Sequence, residues 1–225
     1  MVSSTYAYAI GCLILFIIWI LIFAQRKDLR PEMLWAGFLG MPFGLIDFFL
    51  VPMYWNPDSL FDLIEKYGVG IESFVFLFLM ASLAAVIYQF LFKRKAPKPK
   101  RSNHHHIVLL LATPILYVIL SVIFPLHAIY NVMIVGAAGA LATAYLRKDL
   151  RKQILTSAYL FSLLYLGVFV LVNLICDGWV GRFYNLENTW GILIWGVPLE
   201  EIAVAFFAGA FWSTIYEYTN SYRGK

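Results

Sequence analysis

Charge is what this sequence lacks. Asp, Glu, Lys and Arg make up 13% of its 225 residues, against 62% hydrophobic residues. A soluble domain carries about 25% charged residues, so this chain cannot cover a water-facing surface. Cysteine is scarce too. Cys12 and Cys176 lie in or beside apolar runs, and two such residues supply neither a disulfide framework nor a metal set. Glycine-rich G-x-G-x-x-G and P-loop signatures are absent, which leaves no nucleotide site. No lysine falls inside an apolar run, so a retinal Schiff base has no attachment point. No Pro-Gln dipeptide occurs, which weakens a sugar-transporter reading.

Long apolar runs are what the sequence has. A membrane helix needs roughly 20 mostly apolar residues. Seven runs qualify, at 5–24, 33–53, 70–92, 107–124, 127–146, 153–176 and 190–217. They are continuous and do not alternate, which points to helices rather than barrel strands. The expected class is an all-α integral membrane protein with seven transmembrane helices. The first run lacks a basic n-region and reads as a helix, not a cleaved leader. If seven helices alternate, fifteen of the 17 basic residues fall on one side: Arg26 to Arg30, Lys93 to Arg101, Arg147 to Lys152, and Arg223 with Lys225. Lys66 and Arg182 lie opposite. The positive-inside rule puts the N-terminus outside and the C-terminus in the cytoplasm of a cell-membrane protein. Topology thus explains the net charge of +4, and no nucleic-acid partner follows from it. His104, His105 and His106 sit in the Lys/Pro-rich connection and read as a solvated linker, with no metal site.

The chain repeats itself. Arg-Lys-Asp-Leu-Arg occurs at 26–30 and at 147–151. Gly68-Val69-Gly70-Ile71-Glu72 matches Gly196-Val197-Pro198-Leu199-Glu200, and the same offset carries Ile87-Tyr88 onto Ile215-Tyr216. Tyr54-Trp55-Asn56-Pro57-Asp58 resembles Phe183-Tyr184-Asn185-Leu186-Glu187. Two three-helix repeats, 1–95 and 127–225, are expected, joined by a linker and linker helix at 96–126. One linker helix makes the repeats parallel, related by an axis along the membrane normal. Matching positions then share a depth and can face each other. Glu72 and Glu200 become candidate partners in one cavity, and Asp47 with Asp177 a second pair.

Most of the 13 acids lie in loops or at helix ends. A carboxylate at the bilayer centre costs roughly 2.5–3.5 kcal/mol on insertion scales, so Glu72, Glu200 and Glu201, in Gly/Pro-started helices, stand out. They suit acid/base chemistry or ion coordination. Helix capping is the plainer alternative for Glu72 and Glu200, but recurrence in both repeats favours function. Two facing carboxyls can share a proton and so supply an acid and a base. Aromatics are in excess, with 19 Phe, 14 Tyr and 7 Trp. Phe207 and Phe211 follow Glu200 at helical spacing, Trp212 lies on the Glu201 side, and Phe76 follows Glu72. Beside acids, such rings can line a polyene site and stabilise a carbocation.

Pro198-Leu199-Glu200-Glu201, opening a helix after an aromatic-Asn loop and echoed at Gly70-Ile71-Glu72-Ser73, resembles the small membrane lycopene cyclases of archaea, actinobacteria and fungi, in fused form. The resemblance runs from about residue 5 to 220. It implies cycloisomerisation of a linear carotenoid. A proton adds to the terminal double bond, the cation closes a β-type ring, and a proton leaves. The resemblance implies no cofactor, a carotenoid partner and a bilayer setting. It makes Glu200 the expected proton donor, with Glu72 or Glu201 as acceptor, and Phe207, Phe211, Trp212, Phe76 and Asp47 as substrate-binding residues. The first half departs from the motif by lacking the Pro and the second Glu. A different class also fits the residues: a non-catalytic carrier or proton-coupled transporter for a lipid or small solute.

Overall fold

The computed structural model describes residues 3–94, 107–124 and 128–219. The histidine run, most of the basic linker and the basic tail lie outside the described residues. The helices are α1 (Ala7–Gln25), α2 (Arg30–Gly40), α3 (Asp47–Leu50), α4 (Leu63–Tyr67), α5 (Ile71–Leu91), α6 (Ile107–Ile123), α7 (Ala128–Leu146), α8 (Arg151–Ile175), α9 (Trp179–Phe183), α10 (Leu199–Trp212) and α11 (Ile215–Thr219). Strands β1 (Leu193–Ile194) and β2 (Val197–Pro198) precede α10. Among the described residues, five helical stretches are long and apolar enough to cross a membrane: Ser4–Gln25, Arg30–Leu50, Ile71–Leu91, Ala128–Leu146 and Lys148–Ile175.

The repeated pentapeptide is a helix stop. Arg26 folds onto Asp28 at 2.9 and 2.8 Å, and Arg30 Nε donates to Phe23 O at 2.7 Å. That carbonyl lies in the last turn of α1, where no intrahelical donor remains. The second copy does the same for α7. Arg147 holds Asp149 at 3.0 and 2.8 Å, and Arg151 Nε donates to Ala144 O at 2.8 Å.

Two expected spans depart from straight helices. The run at 33–53 changes from α to 3-10 geometry at Met41–Ile46 before α3 begins. Pro42 is the local cause, since it lacks an N–H and crowds the preceding turn. The run at 190–217 is not one long helix. Leu193 and Ile194 pair with Pro198 and Val197 across a two-residue turn in which Trp195 and Gly196 both have positive φ, 52° and 77°. Such hairpin turns need that left-handed backbone. Helix α10 then runs only 14 residues, and a turn at Ser213–Thr214 separates it from α11.

Helix α5 is the centre. Every residue from Leu79 to Gln89 is buried, and α5 packs against α1, α2, α8 and α10. The α2–α5 crossing is tight because a Cβ on Gly40 would run into that of Ala81. The α8–α10 crossing is its counterpart, with a Cβ on Gly209 falling 2.8 Å from Phe161 Cβ and from Ser157 O. The repeat register matches Gly40 to Phe161 and Ala81 to Gly209. Both crossings use the same positions, but the glycine has moved to the other helix.

The repeats also meet outside the helices. Asn56 N donates to Phe183 O at 2.6 Å, and Asn185 N to Tyr54 O at 2.9 Å. Tyr54 and Asn56 are the repeat mates of Phe183 and Asn185, so the two bonds are one exchange seen twice.

Candidate active site

A cavity of about 190 Å³ lies between the repeats, with roughly ten times the room one water needs. Its walls come from α1, the bent α2–α3 segment, α5, α6, α7, α8 and α10, together with the Tyr54–Trp55 and Trp179–Tyr184 loops. The lining is mostly aromatic and aliphatic, and two carboxyls interrupt it, Asp47 and Glu201.

Glu201 stands in the first turn of α10 and is 8% exposed. Tyr54 OH donates to Glu201 Oε1 at 2.7 Å, and Tyr165 OH donates to Oε2 at 2.6 Å. Tyr165 comes from α8, but Tyr54 comes from the other repeat. Tyr54 and Tyr184 lie in the loops beyond the helices. Burial, then the neighbouring Glu201, pushes both hydroxyls well above the ordinary phenol range. Both therefore stay neutral and keep a hydrogen to give.

Asp47 opens α3, just past the bend. Trp55 Nε1 donates to its Oδ1 at 3.3 Å, and Ser73 Oγ donates to Oδ2. Ser73 Oγ itself accepts from Gly70 N at 3.4 Å, so its own hydrogen is left for Asp47. Ser73 is the repeat mate of Glu201. One repeat therefore places its acid on α10, whereas the other places a hydroxyl there that supports an acid on α3.

Glu72 and Glu200 do not line the cavity. Leu60 N donates to Glu72 Oε1 at 2.5 Å. Trp190 N donates to Glu200 Oε1, which Tyr130 OH also reaches at 3.4 Å. Each glutamate thus ties down the loop before its own helix, and the expected pairing of the two across one cavity is not formed. Each supplies an acceptor to a backbone N–H of the chain leading into its helix, a group that needs a partner once it is out of water. Asp177 is exposed, so it makes no pair with buried Asp47 either.

Of the five residues expected to bind substrate, Asp47, Phe76, Phe211 and Trp212 line the cavity. Phe207 does not; it packs on α7, where a Cβ on Gly136 would lie 3.1 Å from Phe207 Cβ. The walls are knitted by edge contacts, including Tyr8 with Phe76 at 5.9 Å, Phe76 with Tyr165 at 6.2 Å and Phe211 with Trp212 at 5.2 Å. Tyr54, Tyr165 and Tyr184 were not singled out from the sequence. Tyr54 and Tyr184 stand in the matched repeat segments 54–58 and 183–187, the one mark the sequence puts on them. Among the described residues no group of three or more His, Cys, Asp and Glu could hold a metal ion.

A family model described as "Lycopene cyclase" matches residues 5–91 and 127–219. The two matched segments are the two repeats, with the linker between them left out. No curated protein and no solved structure matches the chain.

Proposed function

The chain belongs to the lycopene cyclase family, and on that premise we propose that it is a membrane isomerase that closes a β-type ring at the end of a linear carotenoid. The observation that carries the proposal is the pair of carboxyls, Asp47 and Glu201, lining one aromatic cavity. Seven membrane crossings, with the N-terminus outside, supply the setting. The five long apolar stretches make five of these, and α6 and the α10–α11 segment the others.

Glu201 is the proton donor in this scheme. Its tyrosine partners can give or accept a hydrogen, so they accommodate the carboxyl with or without its proton. Protonation of the terminal double bond leaves a tertiary cation, and attack by the next double bond within reach closes the ring. Phe76, Phe211 and Trp212 line the space where that charge develops, and aromatic rings stabilise a cation over their faces. Asp47 takes the departing proton. Trp55 and Ser73 both present hydrogens to it, an arrangement suited to a carboxylate. One turnover leaves Glu201 ionised and Asp47 protonated, and one proton transfer between them resets the site. Atoms and electrons balance without a redox partner. Glu72 and Glu200 hold the chain that leads into their helices, by accepting from Leu60 N and Trp190 N, and take no direct part in the reaction.

The test is pigment analysis in a lycopene-accumulating host. Glu201→Gln and Asp47→Asn are expected to leave lycopene unchanged at normal protein levels, and Glu200→Gln to retain ring formation. Ring formation by Glu201→Gln would remove the donor assignment. Loss in Glu200→Gln at normal protein levels would return that role to Glu200.

A further inference from the structure

A second cluster of buried titratable groups lies at the ends of the helices away from the cavity, and the ring-closing scheme does not use it. Gln89 Nε2, at the end of α5, donates to Glu32 Oε1 of α2 and to Glu217 Oε1 of α11, each at 3.2 Å. Gln153 Nε2, at the start of α8, donates to Glu217 Oε1 at 2.7 Å and to Ser213 O at 2.6 Å. None of the four side chains is more than 8% exposed.

A carboxamide carries two N–H donors. Those of Gln89 and Gln153 are all engaged, yet Glu32 Oε2 and Glu217 Oε2 are buried with no hydrogen-bond partner. Ionised together, the two carboxyls would set like charges against one amide, which disfavours that state. Among the described residues, the nearby guanidiniums make contacts of their own. Arg147 holds Asp149 at 2.8 Å, and Arg26 holds Asp28 at 2.8 Å. Arg26 donates to Gln89 O, while Arg30 and Arg151, on α2 and α8, turn to Phe23 O and Ala144 O. None of the ion pairs among the described residues reaches Glu32 or Glu217.

The repeat adds an independent observation. In the pentapeptide register Glu32 corresponds to Gln153, and in the glutamate register Gln89 corresponds to Glu217. Each acid therefore has an amide as its mate. An amide is the neutral isostere of a protonated carboxyl, so each of these environments accepts an uncharged group in one half and an acid in the other.

We propose that Glu32 and Glu217 share one proton, and that this hydrogen-bonded quartet is the lock joining the two repeats at this end. The lock spans both repeats, with α2 and α5 from the first and α8 and α11 from the second. The folded chain holds a proton that the unfolded chain releases, so stability falls as pH rises, and loss of the proton opens the lock by repulsion.

Infrared difference spectra of the purified protein against Glu32→Gln and Glu217→Gln, in light and heavy water, test the proposal directly. Each variant is expected to lose the deuterium-sensitive carbonyl band of one protonated carboxyl. Each should also keep its thermal midpoint within about 3 °C of wild type at neutral pH, and lose less than wild type at alkaline pH. An unchanged band in both variants overturns the proposal. So does a Gln variant that fails to fold, because Gln is what the repeat mate already carries. A wild-type midpoint that rises with Mg²⁺ or Ca²⁺, but not in the variants, replaces the shared proton with a bound ion.

Discussion

Glu200 and Glu201 are neighbours in the chain and do different work. Successive residues on an α-helix point about 100° apart, so one faces the loop at Trp190 and the other the cavity. The sequence marks the doublet, but the rotation of α10 decides which carboxyl meets the substrate, and that rotation is set by packing at Gly209 and Phe161. The tyrosines were less legible still. Tyr165 has no motif around it and reaches Glu201 only because α8 and α10 cross. If Tyr54 and Tyr165 hold the Glu201 carboxyl for proton transfer, Tyr165→Phe should lower the cyclisation rate roughly tenfold or more, the worth of about 1.5–3 kcal/mol for a hydrogen bond to a charged group. Tyr54→Phe should act in the same direction. Rates in detergent, with protein level and substrate affinity followed separately, check this. A loss that appears only as reduced protein would make the tyrosines structural.

At the scale of elements, apolar content and length located α1, α5, α6, α7 and α8 to within a few residues of their expected ends. The misses share a cause. In the second and seventh spans Pro42, Gly196 and Pro198 override apolar content, because backbone geometry at those positions excludes a continuing helix. The moved glycine at the two matching crossings could not be read from one sequence either. It follows from which helix carries the larger partner. Gly209→Val should therefore cost about 1–3 kcal/mol through overpacking, because the added atoms meet the backbone at Ser157 O. Thermal unfolding in detergent measures it. Gly181→Val is the control, since no atom lies within 4 Å of a Cβ there.

The whole molecule shows apolar side chains on its outside, among them Phe16, Ile20, Ile119, Val122, Leu163 and Leu174. A soluble monomer does not expose so much, and lipid is the medium that accepts it. With the N-terminus outside, a cysteine at Lys27 or Lys148 should react with an impermeant maleimide only after the membrane is opened, and one at Arg182 in intact cells. The reverse pattern would invert the orientation. The duplication and the charge bias that suggest this arrangement were both legible at the start. The partnership between halves was not, because it rests on contacts such as Tyr54 with Glu201, 147 residues apart. That contact has a bearing on descent. Copies of a duplicated unit are free to diverge wherever each answers only to itself. Here the first copy has kept a tyrosine for an acid that stands in the second, and the loops trade backbone bonds in both directions. Neither copy can stand in for the other, because Tyr54 of the first answers to an acid that only the second carries at that position.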